Sequence, residues 1–211
     1  VSRKQAEANH QAVINIASEL FREHGFDGIG LKDLMKGAGL TQGGFYKQFS
    51  SKEDLIVQAS ERAMEKAAQR WSTAVERMPE TPLDAVISFY LSQAHVDEQG
   101  KGCPMVALAA DAARQGASVK SAFEAGVKSH LQTLNTMTGT PDQDGPSDKA
   151  MVVLALMVGA MTLARAVNDK ALVQDLLAAA SREVRKVAAD QGSDVGTVNV
   201  RPDPRCASSS D

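Results

Sequence analysis

The sequence predicts an all-helical fold of about nine helices, with an amino-terminal helix-turn-helix domain and a larger helical domain behind it. Three observations predict it. Apolar residues recur every three to four positions along most of the chain. Aromatic residues are only 4% of the total while Ala, Leu, Val and Met are plentiful, a mix that favours helices over a β-sandwich. No segment shows the alternation of a half-buried strand. A chain of 211 residues is long enough to bury a substantial core.

The first helix follows from Ala12/Val13, Ile16/Ala17 and Leu20/Phe21, and Gly25 ends it. A second, short helix runs from Leu31 to Ala38 with Leu34 and Met35 inward, and Gly39 ends it. Thr41 is placed to cap a third short helix reaching Phe49. Ser50 and Glu53 have capping-box spacing, which starts a longer helix extending to about Val75. Thr81-Pro82 opens a helix with Leu83, Val86, Ile87, Tyr90 and Leu91 on one side, which ends at Gln99 to Gly102. Pro104 opens the next, through Arg114, and Gly116 breaks it. Val119, Phe123, Val127, Leu131 and Leu134 define a further helix. After a polar loop from Thr138, Ser147 is placed to cap a very apolar helix from Lys149 to Val167. The last helix runs from Lys170 to Ala189. Gln191 to Asp211 lacks periodicity and is rich in Gly, Ser, Asp and Pro, so a disordered tail is expected. The expected division is therefore 1–54, 55–190 and 191–211.

Hydrophobic residues at 43% and charged residues at 23% exclude a wholly disordered chain. Two cysteines are not expected to make a disulfide framework or a four-ligand zinc site. The start is polar, and the apolar run from Ala150 to Met161 reads as a buried helix too short to span a membrane. A cytoplasmic protein without a membrane partner is expected. The formal charge is −3, and residues 1–60 carry seven basic and seven acidic side chains. No global basic field drives nucleic-acid binding, so any such contact must come from local placement of charge.

That placement is suggestive. Two short helices joined by Gly37-Ala38-Gly39-Leu40-Thr41 form a helix-turn-helix, whose second helix fits a DNA major groove. Thr41 and Gln42 lie at the start of that helix, where backbone N–H groups favour a phosphate. Gly43 and Gly44 are poor helix formers, and their benefit would be close approach to DNA. Phe45 and Phe49 anchor the helix inward, leaving Tyr46 and Lys47 to face outward. Lys52 opens the next helix within reach of phosphate, and Lys32 is a further candidate or a solvated surface charge.

The run from Leu31 to Leu55, with Ala17, Phe21 and Gly25-Phe26 upstream, resembles the DNA-binding segment of TetR/AcrR-type regulators. The resemblance implies an all-helical homodimer that binds a double-stranded DNA operator and a small effector. Two departures are Leu31, where Thr or Ser is common, and Gln48, where His is common.

Cys103 precedes Pro104 at a helix start, where the dipole would lower a thiol pKa. It fits either an oxidant- or electrophile-sensing thiol or a small buried residue at a tight turn. Phe89, Tyr90, Met105, Leu108, Phe123, Leu131, Met157 and Met161 are the candidate effector lining, or else ordinary core. They suggest a largely apolar effector. Arg165 is expected to pair with an acid, for example across a dimer. Ala155, Gly159, Ala160 and Ala164, with Ala178 to Ala180, allow the close helix approach of a four-helix dimer seam.

No P-loop, dinucleotide glycine motif, zinc His-Glu motif, Cys-x-x-Cys or Gly-x-Ser-x-Gly occurs. No enzyme activity, cofactor or metal is expected. The sequence therefore points to a ligand-responsive repressor, released from a palindromic operator by an effector or by thiol modification. The alternative is a helical interaction module whose helix-turn-helix does not read DNA.

Overall fold

A computed structural model describes residues 2–139 and 145–190. Among these residues the chain is wholly helical: α1 (Arg3–His24), α2 (Leu31–Gly37), a 3-10 helix (Gln42–Lys47), α3 (Lys52–Arg77), α4 (Pro82–Tyr90), α5 (Gln93–Asp97), α6 (Pro104–Ala113), α7 (Ala117–Met137), α8 (Asp148–Ala166) and α9 (Lys170–Ala189). The expected tail lies outside the described residues.

α1 buries Val13, Ala17 and Phe21 of the expected stripe together with Ile14, while Ala12, Ile16 and Leu20 are half-buried, and it packs against α2 and α3. Ser2 caps it by accepting from the Gln5 N–H. α3 is the central strut. It packs on α1, α4 and α7. At the α3–α7 crossing, a Cβ on Gly126 would lie 2.4 Å from Met64 Cγ, so only glycine lets these two helices approach this closely. Trp71 forms the middle of the larger core, edge-on to Tyr90 at 6.1 Å and to His130 at 4.8 Å.

The structure corrects several expected boundaries. The 42–47 segment is a 3-10 helix, and Thr41 makes no side-chain capping bond. Ser51 rather than Ser50 caps α3, accepting from the Asp54 N–H at 3.0 Å. Asp54, not Glu53, answers it by accepting from the Ser50 N–H and hydroxyl, each at 2.9 Å. The Ser50 N–H bond is the main reason the Asp54 pKa falls below its usual value. The single helix expected after Thr81 is two. α4 stops at Tyr90, and Ser92 caps the five-residue α5.

α8 is 19 residues long, and by length and composition alone it could cross a membrane. The helix extends beyond the apolar run from Ala150 to Met161 on which the expectation of a buried helix rested. It packs against α9 instead.

Candidate nucleic-acid interface

The α2 helix ends in a Schellman motif. Leu40 N–H donates to Met35 O at 2.8 Å, and Gly39 N–H donates to Lys36 O at 2.9 Å. The motif needs a residue of positive φ at its hinge, and Gly39 supplies it at +71°. Leu40 packs against the core and holds the turn. These constraints fix the direction of the 3-10 helix relative to α2.

Phe45 is fully buried and Phe49 nearly so, with their rings stacked at 5.4 Å. His10 of α1 stacks on Phe49 at 4.5 Å and lies 3.0 Å from the Gln58 side-chain oxygen. This inward anchoring turns the opposite face out. Thr41, Gln42, Gly43 and Lys47 are exposed, and Tyr46 is 74% exposed, unusual for a side chain of its size. Gly44 is half-buried. A Cβ on Gly43 would meet nothing within 4 Å, and one on Gly44 would make only ordinary contacts. Neither has a positive φ. Nothing inside the chain demands glycine at these two positions.

The cations are spread around this face. Lys32 is exposed on α2, beside Asp33. Lys52 is half-buried at the start of α3, and its ammonium lies 3.8 Å from Asp27. Gln48, one of the two departures from the family pattern, is half-buried, and its side-chain oxygen is buried without a partner.

Several long-range contacts join this head to the rest of the chain, among them one through Arg22 and one through Phe26. Arg22 Nε donates to Gly100 O at 2.7 Å, and Phe26 N–H donates to an Asp111 carboxylate oxygen at 3.2 Å. Sequence reasoning missed both. The available signal was a charged residue, Arg22, beside the buried Phe21 on the inward side of α1.

Among the candidate effector residues, Tyr90, Met105, Leu108, Phe123, Leu131, Met157 and Met161 are buried in the core, and Phe89 is half-buried. Phe89 and Tyr90 line a cavity of about 10 Å³ together with Trp71, His95 and Cys103. That is barely room for one water. Arg70 covers Phe89, its guanidinium carbon 4.9 Å from the ring centre.

Cys103 does occupy the cap position of α6, but it is only 4% exposed. Burial pushes its thiol pKa up, outweighing the Tyr90 hydroxyl and the Val106 and Met105 amides that favour the thiolate. The expected lowering by the dipole is therefore reversed. The Tyr90 hydroxyl lies buried against this thiol without a hydrogen-bond partner of normal geometry. Among the described residues of the single chain Arg165 meets no acid. It donates to His95 O at 2.5 Å, and its Nε is buried and unpartnered among the described residues.

The expected small-residue seam divides in two. Ala164 and Ala180 are buried within the chain, whereas Ala155, Gly159, Ala178 and Ala179 are exposed. Met151, Val152 and Leu163 of α8 and Leu172 of α9 are large apolar side chains on the surface, each more than 40% exposed.

A sequence model of the family described as "Bacterial regulatory proteins, tetR family" matches residues 13–59. The chain is 27% identical over 152 residues to the HTH-type transcriptional repressor NemR of Escherichia coli K12, covering 67% of this chain and 76% of that protein. It is 31% identical over 85 residues to the HTH-type transcriptional regulator EthR of Mycolicibacterium smegmatis, covering 40% of this chain and 39% of that one. The crystal structure of reduced E. coli NemR superposes with a TM-score of 0.70 at 23% identity, covering 85% of this chain and 96% of that chain, which shows a shared fold. The matched segment spans the buried α1 stripe, the Schellman turn, the outward-facing 3-10 helix and the capped start of α3, and through this segment the chain is similar to the bacterial regulatory proteins of the tetR family.

Proposed function

We propose that this DNA-binding regulator is a cytoplasmic repressor that holds a palindromic operator as a homodimer and leaves it when an effector binds. The observation that carries this reading is the outward face of the 3-10 helix. Gln42, Tyr46 and Lys47 are presented to solvent, and beside them Gly43 and Gly44 are glycines that the free chain does not need. Backbone brought against a phosphate or a base edge supplies the reason for them. Thr41, Lys32 and Lys52 contribute phosphate contacts at the rim. Residues 1–54 form the reading unit, and 55–190 form the effector-binding and dimerising unit.

The apolar stripe on α8 and α9 supports the dimer. Four large apolar side chains on two packed helices match the seam of a four-helix interface between two copies. Two heads related by a two-fold axis then read half-sites about one helical turn, or a multiple of it, apart.

The effector acts on the core beside Trp71. With about 10 Å³ free there, an apolar ligand enters only after Phe89, Tyr90 and their neighbours move. The ligand therefore selects an opened state, and release follows if that state holds the heads at the wrong separation. Thiol modification of Cys103 obeys the same logic, because a buried thiol of raised pKa reacts only when the core opens.

The test is selection of bound sequences from a random duplex pool by the purified chain. Enrichment of one palindrome supports the reading. Failure to enrich any sequence at low salt, with and without metabolite extract, favours the interaction-module alternative.

A further inference from the structure

An open groove of about 440 Å³ runs between α1, α3 and the loop that leads into α6. Arg22, Lys66, Arg70 and Lys101 face Glu19 and Glu98 across it. The excess is two positive charges, in a chain whose formal charge is −3. Pairing within the groove is uneven. Lys66 meets Glu19 at 3.3 Å and Arg70 meets Glu98 at 2.9 Å. Among the described residues neither Arg22 nor Lys101 forms an ion pair.

Arg22 is the telling residue. It is only 5% exposed, yet its guanidinium has no bonded acid, and Nε is the one nitrogen with a described partner, Gly100 O. The side chain contributes to the lining of the groove. Burial brings its pKa down to about 10. Glu19 and the Cys103 thiol oppose that, and Arg70 and Arg165 reinforce it. A buried cation with no directly bonded acid is costly, and a rigid guanidinium fork suits an oxyanion.

We propose that this groove binds a small dianion, either a phosphate or a dicarboxylate, held by Arg22 and Lys101 and flanked by Lys66 and Arg70. The polar side chains of Gln69 and Thr73 complete the lining. The groove adjoins the small cavity beside Trp71, with Arg70 and Lys101 lining both, and the binding does not depend on the effector assignment. Its consequence for DNA does rest on the operator reading. An occupant bridging Arg22 and Lys101 adds a further tie between α1 and the loop that leads into α6, beside the Arg22–Gly100 bond.

The experiment is thermal unfolding of the full chain against inorganic phosphate and, separately, succinate, with ionic strength held constant by sodium chloride. A saturable rise in Tm is expected for at least one anion. Lys101→Gln, at an exposed position, and the double variant Lys66→Gln/Lys101→Gln should both need more anion to reach half the shift, about tenfold more for the double variant. Lys170→Gln, at an exposed position at the start of α9 away from the groove, should leave the midpoint unchanged. A shift with phosphate alone or succinate alone identifies which dianion the groove takes. No saturable shift with either anion overturns the proposal, and so do equal midpoints in the groove variants and the unaltered chain.

Discussion

The backbone N–H of Cys103 donates to Nε2 of His95 across 3.0 Å, while Nδ1 of the same ring lies 2.7 Å from Tyr90 O. The two bonds require a neutral ring with its proton on Nδ1. Protonating Nε2 would leave the Cys103 amide facing another donor. Burial is the main reason the His95 pKa falls to about 4, helped by the charges of Arg165 and Arg70.

A pH dependence of stability follows. The unfolded chain takes up a proton on His95 near pH 6.5, and the folded chain does so only near pH 4. The folded state is favoured fully above pH 6.5 and loses that advantage as pH falls toward 4. The loss from this one group is about 3 kcal/mol at most. His130, also lowered chiefly by burial, adds a term of the same sign. Denaturant unfolding between pH 7 and 4 should show the decline, and His95→Gln should flatten it. An unchanged slope in that variant would count against His95 as the origin.

Cys103 reactivity is governed by the same packing. In a Cys206→Ser background, iodoacetamide should label Cys103 far more slowly in the native chain than in the denatured one, because the thiol is buried and its pKa raised. Labelling that accelerates with a DNA-releasing ligand would tie reactivity to core opening. Equal release of DNA by oxidant from unaltered chain and Cys103→Ser would remove thiol modification from the mechanism.

Gly43 separates stability from recognition. A methyl group there meets nothing in the free chain, so Gly43→Ala should leave Tm unchanged or raise stability by up to ~1 kcal/mol. The same methyl placed against a bound duplex should lower operator affinity about tenfold or more. Calorimetric Tm and a binding titration on the two proteins check both halves. Unchanged affinity would show that the backbone at 43 stays clear of the DNA.

These residues also show what was legible beforehand. The inward Phe45/Phe49 pair and the outward Tyr46 and Lys47 follow from spacing of four and from a turn glycine, both local signals. The cap of α3 was misplaced by one residue because Ser50 and Ser51 are equally good caps, and the carboxylate that answers is Asp54 rather than Glu53. The break after Tyr90 was hidden because the apolar run continues to Leu91 with no glycine or proline near Ser92. Arg22–Gly100 spans 78 positions, a distance no periodicity reports. The raised Cys103 pKa needed knowledge of burial, which wins over the helix dipole once Tyr90 and its neighbours close around the thiol.

The dimer seam is tested at Leu163, which is 55% exposed on α8. In a single chain Leu163→Glu places its charge in water and should fold normally. In the dimer it would bury two like charges on facing helices, one from each copy. Light scattering should report about twice 22.4 kDa for the unaltered chain and one times that for the variant. A variant that remains dimeric would move the seam elsewhere.

Lys47 tests the electrostatic part of recognition. It is exposed at the end of the 3-10 helix and forms no ion pair among the described residues, so its ammonium is available to a phosphate. Each neutralised phosphate releases counter-ions and steepens the fall of log K with log salt by about 0.9. With two copies on one operator, Lys47→Ala should flatten that slope by about 1.8 and weaken binding to all sequences alike. Tyr46→Ala, which removes no charge, should leave the slope in place and alter base preference instead. If Lys47→Ala changes preference between operators and Tyr46→Ala changes only the slope, the two residues have exchanged roles and the helix enters the groove in a different rotation. If neither variant alters affinity or slope, the outward face of this helix is not the surface that meets DNA.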